Sequence, residues 1–220
     1  MLRERLERVE ERIHAAAQRA GRLRSGVTLI AVTKKFPPET ICEAYSLGLR
    51  IFGENYVQEF EAKRPALSSL ADAQFHLIGH LQSNKARVAA DLFQVIETVD
   101  SEKLARRLDG MDRRLEVMIE VKLSGEQSKA GAAPEELPKL IEAIRACPNL
   151  ALTGLMTMPP WNEDQEVTRP YFRRLAALAR EHGLARLSMG MSHDLEAAIE
   201  EGATHIRVGT ALFGPRPKNP

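Results

Sequence analysis

Two cationic residues lie where a folded chain could present them to a ligand. Lys34 ends an apolar run, and an amine held between apolar walls loses affinity for its proton, so it becomes a nucleophile toward aldehydes. Arg207 lies inside a second apolar run, where burial is costly unless some group accepts its hydrogen bonds. That acceptor would be a ring nitrogen of a ligand or an internal carboxylate such as Glu54 or Glu120. Without a ligand, Lys34 would be a solvated strand-end lysine.

Glycines and hydroxyl groups near the C-terminus are typical of a phosphate-binding site. Ser192 comes shortly after Gly190 and opens a predicted helix, and Gly209 and Thr210 close the last apolar run. Glycine lets the backbone approach a phosphate, while N–H groups, hydroxyls and a helix N-terminus favour its charge. Singly, Ser192 could be a plain N-cap and Gly209 a packing glycine; together they favour phosphate binding.

Other polar residues follow the second and third apolar runs. Asn55 could reach the polar edge of a ligand or cap the next helix. Gly79 would either admit a ligand close to the backbone or allow tight packing within the chain. His76 has apolar neighbours and is predicted to be a hydrogen-bonded core histidine, whereas the role of His80 stays open.

These three kinds of group together match one cofactor. A lysine for an aldehyde, a glycine and hydroxyl cradle for a phosphate and an arginine for a ring nitrogen would hold pyridoxal 5′-phosphate. A cofactor-free enzyme that forms a Schiff base with a carbonyl substrate, such as a phosphosugar, would use the same lysine. That alternative stays open at this stage.

Eight strand-length apolar runs alternate with amphipathic helical stretches, which predicts an α/β fold, a single (β/α)8 barrel of the TIM type. The strands are predicted at 27–34, 50–54, 75–79, 94–99, 115–123, 150–158, 186–189 and 205–210. The helices are predicted at 2–20, 37–48, 56–69, 83–90, 101–109, 135–146, 170–182 and 192–202. The extra N-terminal helix would cover the place of the missing last one. The runner-up is an open doubly wound sheet.

A barrel would bring the candidate residues together. Reactive groups of such barrels lie at the C-terminal ends of the strands, with a phosphate site favoured after strands seven and eight. Lys34 follows the first predicted strand, and Ser192 and Gly209 follow the seventh and eighth. We therefore expect one site at the barrel mouth.

Composition excludes several classes of partner. The 31 Lys and Arg against 30 Asp and Glu give a net charge of +1, which supplies no global field for nucleic acid or an anionic membrane. With 44% hydrophobic and 28% charged residues, residues 1–220 are expected to form one globular domain. Cys42 and Cys147 have no metal or redox spacing, and no apolar stretch suits a secretion signal or membrane span. We expect a cytoplasmic protein without a bound metal.

Six motifs, in order along the chain, resemble those of the pyridoxal phosphate homeostasis protein family, whose members are similar to the N-terminal barrel domain of alanine racemase. Each motif alone is weak, but six in order are specific. They are Ala31-Val32-Thr33-Lys34, Phe52-Gly53-Glu54-Asn55-Tyr56-Val57-Gln58-Glu59, His76-Leu77-Ile78-Gly79-His80-Leu81-Gln82-Ser83-Asn84-Lys85, Gly154-Leu155-Met156, Ser188-Met189-Gly190-Met191-Ser192-His193-Asp194 and Arg207-Val208-Gly209-Thr210-Ala211-Leu212-Phe213-Gly214.

The resemblance implies a fold-type III barrel that carries or buffers pyridoxal 5′-phosphate (PLP) for vitamin B6 homeostasis, joined to Lys34 as an internal aldimine. It implies that Arg207 faces the pyridine nitrogen, which keeps that nitrogen unprotonated and favours carriage over transamination. The resemblance also implies that the phosphate is held by Ser192, Gly209 and Thr210. Asn55 and Met189 are implied to be neighbours of the ring.

An amino-acid racemase of fold type III is the alternative function. Alanine racemase carries a second β domain that supplies a catalytic tyrosine, for which this length leaves no room, so we expect no robust catalysis. The resemblance implies apo-enzymes that use PLP as recipients, and we expect a monomer. The role of Lys35 stays open, and Lys129 is either a second amine for passing the cofactor or a solvated loop lysine.

Overall fold

The chain forms a closed barrel of eight parallel strands, arranged in the order in which they occur in the sequence. The computed structural model describes residues 1–111, 113–124 and 130–215. The strands are β1 (Thr28–Val32), β2 (Ile51–Glu54), β3 (Gln74–Leu77), β4 (Val95–Val99), β5 (Leu115–Glu120), β6 (Leu150–Met156), β7 (Arg186–Ser188) and β8 (His205–Val208). Pairing of β8 with β1 closes the ring. The predicted barrel is therefore confirmed.

Helices alternate with the strands and cover the barrel. They are α1 (Leu2–Arg19), α2 (Pro38–Ser46), α3 (Val57–Lys63), α4 (Ala86–Leu92), α5 (Glu102–Asp109), α6 (Leu137–Arg145), α7 (Gln165–Glu181), α8 (Leu195–Glu200) and α9 (Thr210–Phe213). Most strand residues are buried, because the helices shield one face of the sheet and side chains fill the barrel interior on the other. This explains why the strands appear in the sequence as nearly continuous apolar runs.

Several predicted boundaries differ from the structure by a few residues, and two of the differences have a clear local cause. Helix α7 begins five residues before the predicted start at Pro170, because Asp164 caps it through a 2.9 Å bond from the backbone N–H of Glu166. A proline inside the helix removes only one backbone hydrogen bond. At the last strand, Thr210 does not extend β8; it begins the short helix α9 after Gly209.

The N-terminal helix ties the first and last parts of the chain together. Helix α1 packs against α8 and α9. The Arg12 guanidinium donates to both carboxylate oxygens of Glu196, at 2.6 and 2.8 Å, and to the backbone carbonyl of Ser192 at 3.0 Å. The extra helix predicted from sequence thus fixes the loop that follows β7.

Two kinds of feature are absent from the part of the chain that the structure describes. No described helix has both the length and the apolar character needed to cross a bilayer. The described residues also form no cluster of three or more His, Cys, Asp or Glu side chains able to hold a metal ion.

Candidate functional site

A cavity of about 270 Å³ opens at the C-terminal ends of the strands, and we call it the lysine cavity. Six of the seven predicted site residues line it, together with apolar side chains from the loops. The six are Lys34, Asn55, Ser192, Arg207, Gly209 and Thr210. Parallel strands all end at one rim of a barrel, which brings together residues that are far apart in sequence.

Met189 is the seventh predicted residue, and it lies in the hydrophobic core instead of the cavity wall. Its side chain is fully buried. The preceding residue, Ser188, points into the barrel, where it bonds to Glu97. Because successive strand side chains point to opposite faces, Met189 points outward to the helices.

The loops after β7 and β8 meet at the hydroxyl of Ser192. This oxygen accepts hydrogen bonds from the backbone N–H groups of Gly209 and Ala211, at 3.3 and 3.2 Å. Ser192 is therefore not a plain helix N-cap; Asp194 holds that position, and its Oδ1 accepts from the backbone N–H of Met191 at 2.6 Å. Two N–H groups and a hydroxyl at the cavity wall form an anion-binding arrangement.

Arg207 is held inside the barrel by neutral acceptors. Its guanidinium donates to the Ser188 hydroxyl and to the backbone carbonyl of Thr157, both at 2.8 Å. Burial lowers the pKa of Arg207, while the charges of Glu97, Asp194 and Glu120 oppose that shift. Guanidinium has five N–H donors, and these two bonds use two of them.

The sequence suggested Glu54 and Glu120 as carboxylate partners of Arg207, but neither of them accepts these two hydrogen bonds. Glu54 instead pairs with Lys63 at 2.9 Å. Glu120 acts on Arg207 only through its charge.

Behind Arg207, a buried chain of hydrogen bonds crosses the barrel. Glu97 on β4 accepts from the Ser188 hydroxyl at 2.5 Å, and its other oxygen bonds to Nδ1 of His76 at 2.7 Å. Burial alone would raise the pKa of Glu97, but the bond and charge of His76, with Arg207 and Ser188, keep it below its ordinary value. His76 is the hydrogen-bonded core histidine that the sequence predicted.

Lys34 follows a residue that α3 holds in place. The Thr33 hydroxyl donates to Glu54 at 2.8 Å, and the Lys63 ammonium donates to the Thr33 carbonyl at 3.0 Å. Lys63 also donates to Glu54, at 2.9 Å. Burial raises the pKa of Glu54, although the charge of Lys63 and the hydrogen bonds that Lys63 and Thr33 donate to Glu54 oppose the shift. These contacts fix the end of β1, from which Lys34 extends.

Lys35, on the other side of Lys34, has a backbone φ of +64°, which is costly for a residue with a Cβ. Its N–H donates to Oε1 of Glu59 at 2.5 Å, and Glu59 pairs with Lys63 at 2.6 Å. The two neighbours of Lys34 are thus both connected to Lys63, so the turn that presents Lys34 is anchored on each side.

Asn55 lines the lysine cavity, and Gly79 packs against the backbone of Asn55. The side-chain oxygen of Asn55 is buried without a hydrogen-bond partner among the described residues. Gly79 approaches so closely that a Cβ there would overlap the backbone of Asn55. Only glycine permits this contact, so the structure favours tight packing, and not close approach of a ligand, as the reason for a glycine at position 79.

A second cavity, of about 730 Å³, adjoins the first, and we call it the glutamate cavity because Glu120 lines it. The two share Met158, Trp161 and Met191. Glu120 is buried, and burial raises its pKa to about 7, against an opposing effect from Arg207. His80 lines this cavity and lies 3.6 Å from Asp100.

Sequence reasoning missed the partners of Arg207. A glutamate within the apolar run of β4 was a signal, because a charge inside a buried strand requires a partner. Glu97 and Ser188 are 91 residues apart, so the pairing itself depends on barrel closure. Lys129 lies outside the described residues.

The chain was compared with known proteins. Residues 5–217 match the family model described as "Alanine racemase, N-terminal domain". The pyridoxal phosphate homeostasis protein of Aquifex aeolicus is 46% identical, over 97% of each chain. The structure of PipY from Synechococcus elongatus with PLP bound superposes with a TM-score of 0.84 at 39% identity, covering 97% of this chain and 100% of that one.

A more distant structure shares the fold alone. The alanine racemase of Corynebacterium glutamicum is 20% identical, with a TM-score of 0.69, and the match covers 97% of this chain and 62% of the racemase. The barrel is thus common to both proteins.

Proposed function

This chain belongs to the alanine racemase N-terminal domain family and, within it, to the pyridoxal phosphate homeostasis proteins, and from that premise we propose that it binds PLP and holds it in reserve. The single observation that carries the proposal is the lysine cavity, where an amine, a guanidinium and an anion-binding loop pair share one wall. PLP supplies a reactive aldehyde, a ring nitrogen and a phosphate, one for each of these groups.

Each wall residue then has one task. Lys34 supplies the amine for the aldehyde. Arg207 directs donors to the ring nitrogen, and since arginine keeps its proton in proteins, it passes none to that nitrogen. An unprotonated ring nitrogen favours carriage of the cofactor over transamination.

The phosphate belongs to the loops after β7 and β8. Ser192 and Gly209 already meet there, at 3.3 Å from hydroxyl to N–H, and Thr210 adds an exposed hydroxyl at the start of α9. Asn55, whose side-chain oxygen is buried without a described partner, is the polar contact at the edge of the ring.

The test is cofactor uptake, with Lys34→Ala as the decisive variant. The purified chain, incubated with PLP, is expected to turn yellow, and borohydride should attach the cofactor to the peptide that contains Lys34. Lys35→Asn is a matched control, because it removes the neighbouring amine while asparagine tolerates a positive φ. If the chain takes up no PLP, or if the label maps to another lysine, the proposal is wrong.

The racemase alternative requires a second base facing the cofactor. Neither the lysine cavity nor the glutamate cavity has a tyrosine in its described lining. Tyr45 bonds to Asp72 on the outer surface, and Tyr56, which is half exposed, lines a neighbouring cavity with Asn55 and His80. The loaded protein should therefore leave the α-hydrogens of amino acids in place in deuterium oxide. Exchange faster than that caused by free PLP would support the racemase instead.

The proposal also covers the oligomeric state, the location and the partners of the protein. Residues 1–220 act as one domain and as a monomer in the cytoplasm, and apo-enzymes that use PLP are the recipients. Sedimentation of the loaded chain tests the oligomeric state, and the mass of one protomer is expected. Mixing the loaded chain with an apo-enzyme tests the recipients, and the apo-enzyme is expected to recover activity.

A further inference from the structure

The glutamate cavity is larger than the lysine cavity and differs in character. Its walls are mainly apolar, with Val121, Leu123 and Pro159 in addition to the residues that both cavities share. It therefore offers room and apolar surface for a small organic ligand next to the lysine cavity.

Glu120 is the polar group that such a ligand would meet. Only 4% of the residue is exposed, and its Oε2 atom is buried without a hydrogen-bond partner among the described residues. Buried carboxylate oxygens are normally bonded, because an unsatisfied one keeps its desolvation cost. Glu97 uses both oxygens. Glu54 and Asp194 each have one unbonded buried oxygen as well, but their other oxygen accepts hydrogen bonds, whereas neither oxygen of Glu120 accepts one from the described residues.

A compact cation with N–H donors fits this group best. Ionised carboxylates only accept hydrogen bonds, and an ammonium has three donors and the opposite charge. The described residues offer no set of ligands for a metal ion. The apolar walls would surround an alkyl chain attached to the ammonium.

We propose that the glutamate cavity binds a small primary alkylammonium ion, with Glu120 as the carboxylate that receives it. The site is distinct from the lysine cavity: Glu120 lines only the larger cavity and Lys34 only the smaller. Because Met158, Trp161 and Met191 separate the two, a bound amine lies beside the occupant of the lysine cavity. The relevance of this site to PLP rests on the proposed function, whereas binding of the ammonium ion to Glu120 does not depend on it.

The charged groups around Glu120 predict how binding depends on pH. Burial raises the pKa of Glu120 to about 7, Arg207 lowers it and Asp100 raises it, and His80 and Lys122 also line the cavity. An ammonium binds the ionised carboxylate, so affinity should rise about tenfold per pH unit below 7 and level off above it.

Trp161 gives a direct measurement, since it is the only tryptophan in the sequence and lines both cavities. Its fluorescence would be followed while butylammonium is added to the full chain, before PLP loading and after loading with borohydride reduction. Butyrate is the matched anion, and Glu116→Gln is the matched variant, because Glu116 is on the same strand and pairs with Arg186 outside the cavity.

The expected result is a saturable change with butylammonium, a response to butyrate at least tenfold weaker, and affinity at least tenfold lower in Glu120→Gln but unchanged in Glu116→Gln. Equal affinity in wild type and Glu120→Gln, or equal binding of butyrate, would overturn the inference. The pH dependence of the wild type is a second measurement that needs no variant; a flat profile between pH 5.5 and 7 would also overturn it. PLP uptake is measured separately, so its failure would not be mistaken for failure of amine binding.

Discussion

Glu97 and Glu120 are both buried at neighbouring strands of the same barrel, yet they have opposite properties. Glu97 bonds through both oxygens, to Ser188 and His76, and its pKa lies below the ordinary value. Glu120 has an oxygen without a described partner, and burial raises its pKa to about 7. The loss of water affects both carboxyl groups, so their protein partners make the difference.

This contrast separates two regions of the barrel mouth. Around Glu97 the polar groups bond to one another and fix Arg207, which suits a site that holds a ligand in one orientation. Around Glu120 the carboxyl group lines a cavity and accepts no hydrogen bond from the described residues, which suits a site whose bonding is completed by a ligand. The two regions share one opening but have different electrostatic properties.

The largest expected effect comes from removing Glu97. Glu97→Ala would leave Arg207 and His76 without their buried carboxylate, so the free energy of unfolding should fall by roughly 3 to 5 kcal/mol. Urea unfolding at pH 7 measures this. A loss below about 1 kcal/mol would show that Glu97 is no better paired than a surface carboxylate, which would break the comparison.

Glu120→Gln should act in the opposite direction, and only at higher pH. The folded-state pKa of Glu120 is about 7, above its ordinary 4.5, so its contribution to stability is fully present below pH 4.5 and is lost as the pH rises through 7. The glutamine cannot titrate. Relative to wild type, the variant should therefore gain about 3 kcal/mol of unfolding free energy between pH 4.5 and 8.

Urea unfolding of both proteins at pH 5 and pH 8 measures the gain for Glu120→Gln. Any change in unfolding free energy that the amide causes at both pH values cancels when the difference between the two proteins at pH 8 is compared with that at pH 5. A constant difference between the two proteins across this range would mean that Glu120 titrates normally.

Ser188→Ala tests the hydroxyl that connects Arg207 to Glu97. Loss of two bonds to charged groups should lower the unfolding free energy by about 1 to 3 kcal/mol and weaken PLP uptake, since Arg207 loses one acceptor. Equilibrium unfolding and PLP titration measure the two effects. Ser188→Thr retains the hydroxyl, and it should recover more PLP affinity than stability if orientation of Arg207 is what the bond provides.

The smallest effect is expected at Glu116, which shares β5 with Glu120 but is only partly buried. Its ion pair with Arg186 lies near the surface, where such pairs contribute little. Glu116→Gln should change the unfolding free energy by no more than about 0.5 kcal/mol at pH 5 or 8. A larger effect would show that position on β5, and not burial, determines the behaviour of Glu120.

Most of the barrel could be predicted from sequence because strand and helix signals are local. All eight strands were found, and helix ends marked by glycine, such as Gly48 and Gly202, were placed correctly. The start of α7 was missed because the Asp164 cap is a weaker signal than Pro170. The beginning of α9 at Thr210 was missed because four residues give no periodicity.

Residues at strand ends could also be predicted to lie together, since barrel topology alone brings them to one rim. What could not be predicted is which side chains bond across the interior. The contact of Glu97 with Ser188 joins β4 to β7, near a register shift between β4 and β5. Such contacts depend on the register of every intervening strand, which local patterns do not contain.

Closure of the ring by β1 and β8 has a consequence for how the protein is made. Lys34 follows β1, whereas Arg207 lies on β8 and Ser192 follows β7, so the lysine cavity lies at the seam between the first and last strands. On the ribosome, this cavity cannot exist until β8 has emerged and paired with β1. A ligand that contacts residues on both sides of the seam would stabilise the closed barrel. Nascent chains released before β8 is complete would be unable to bind it.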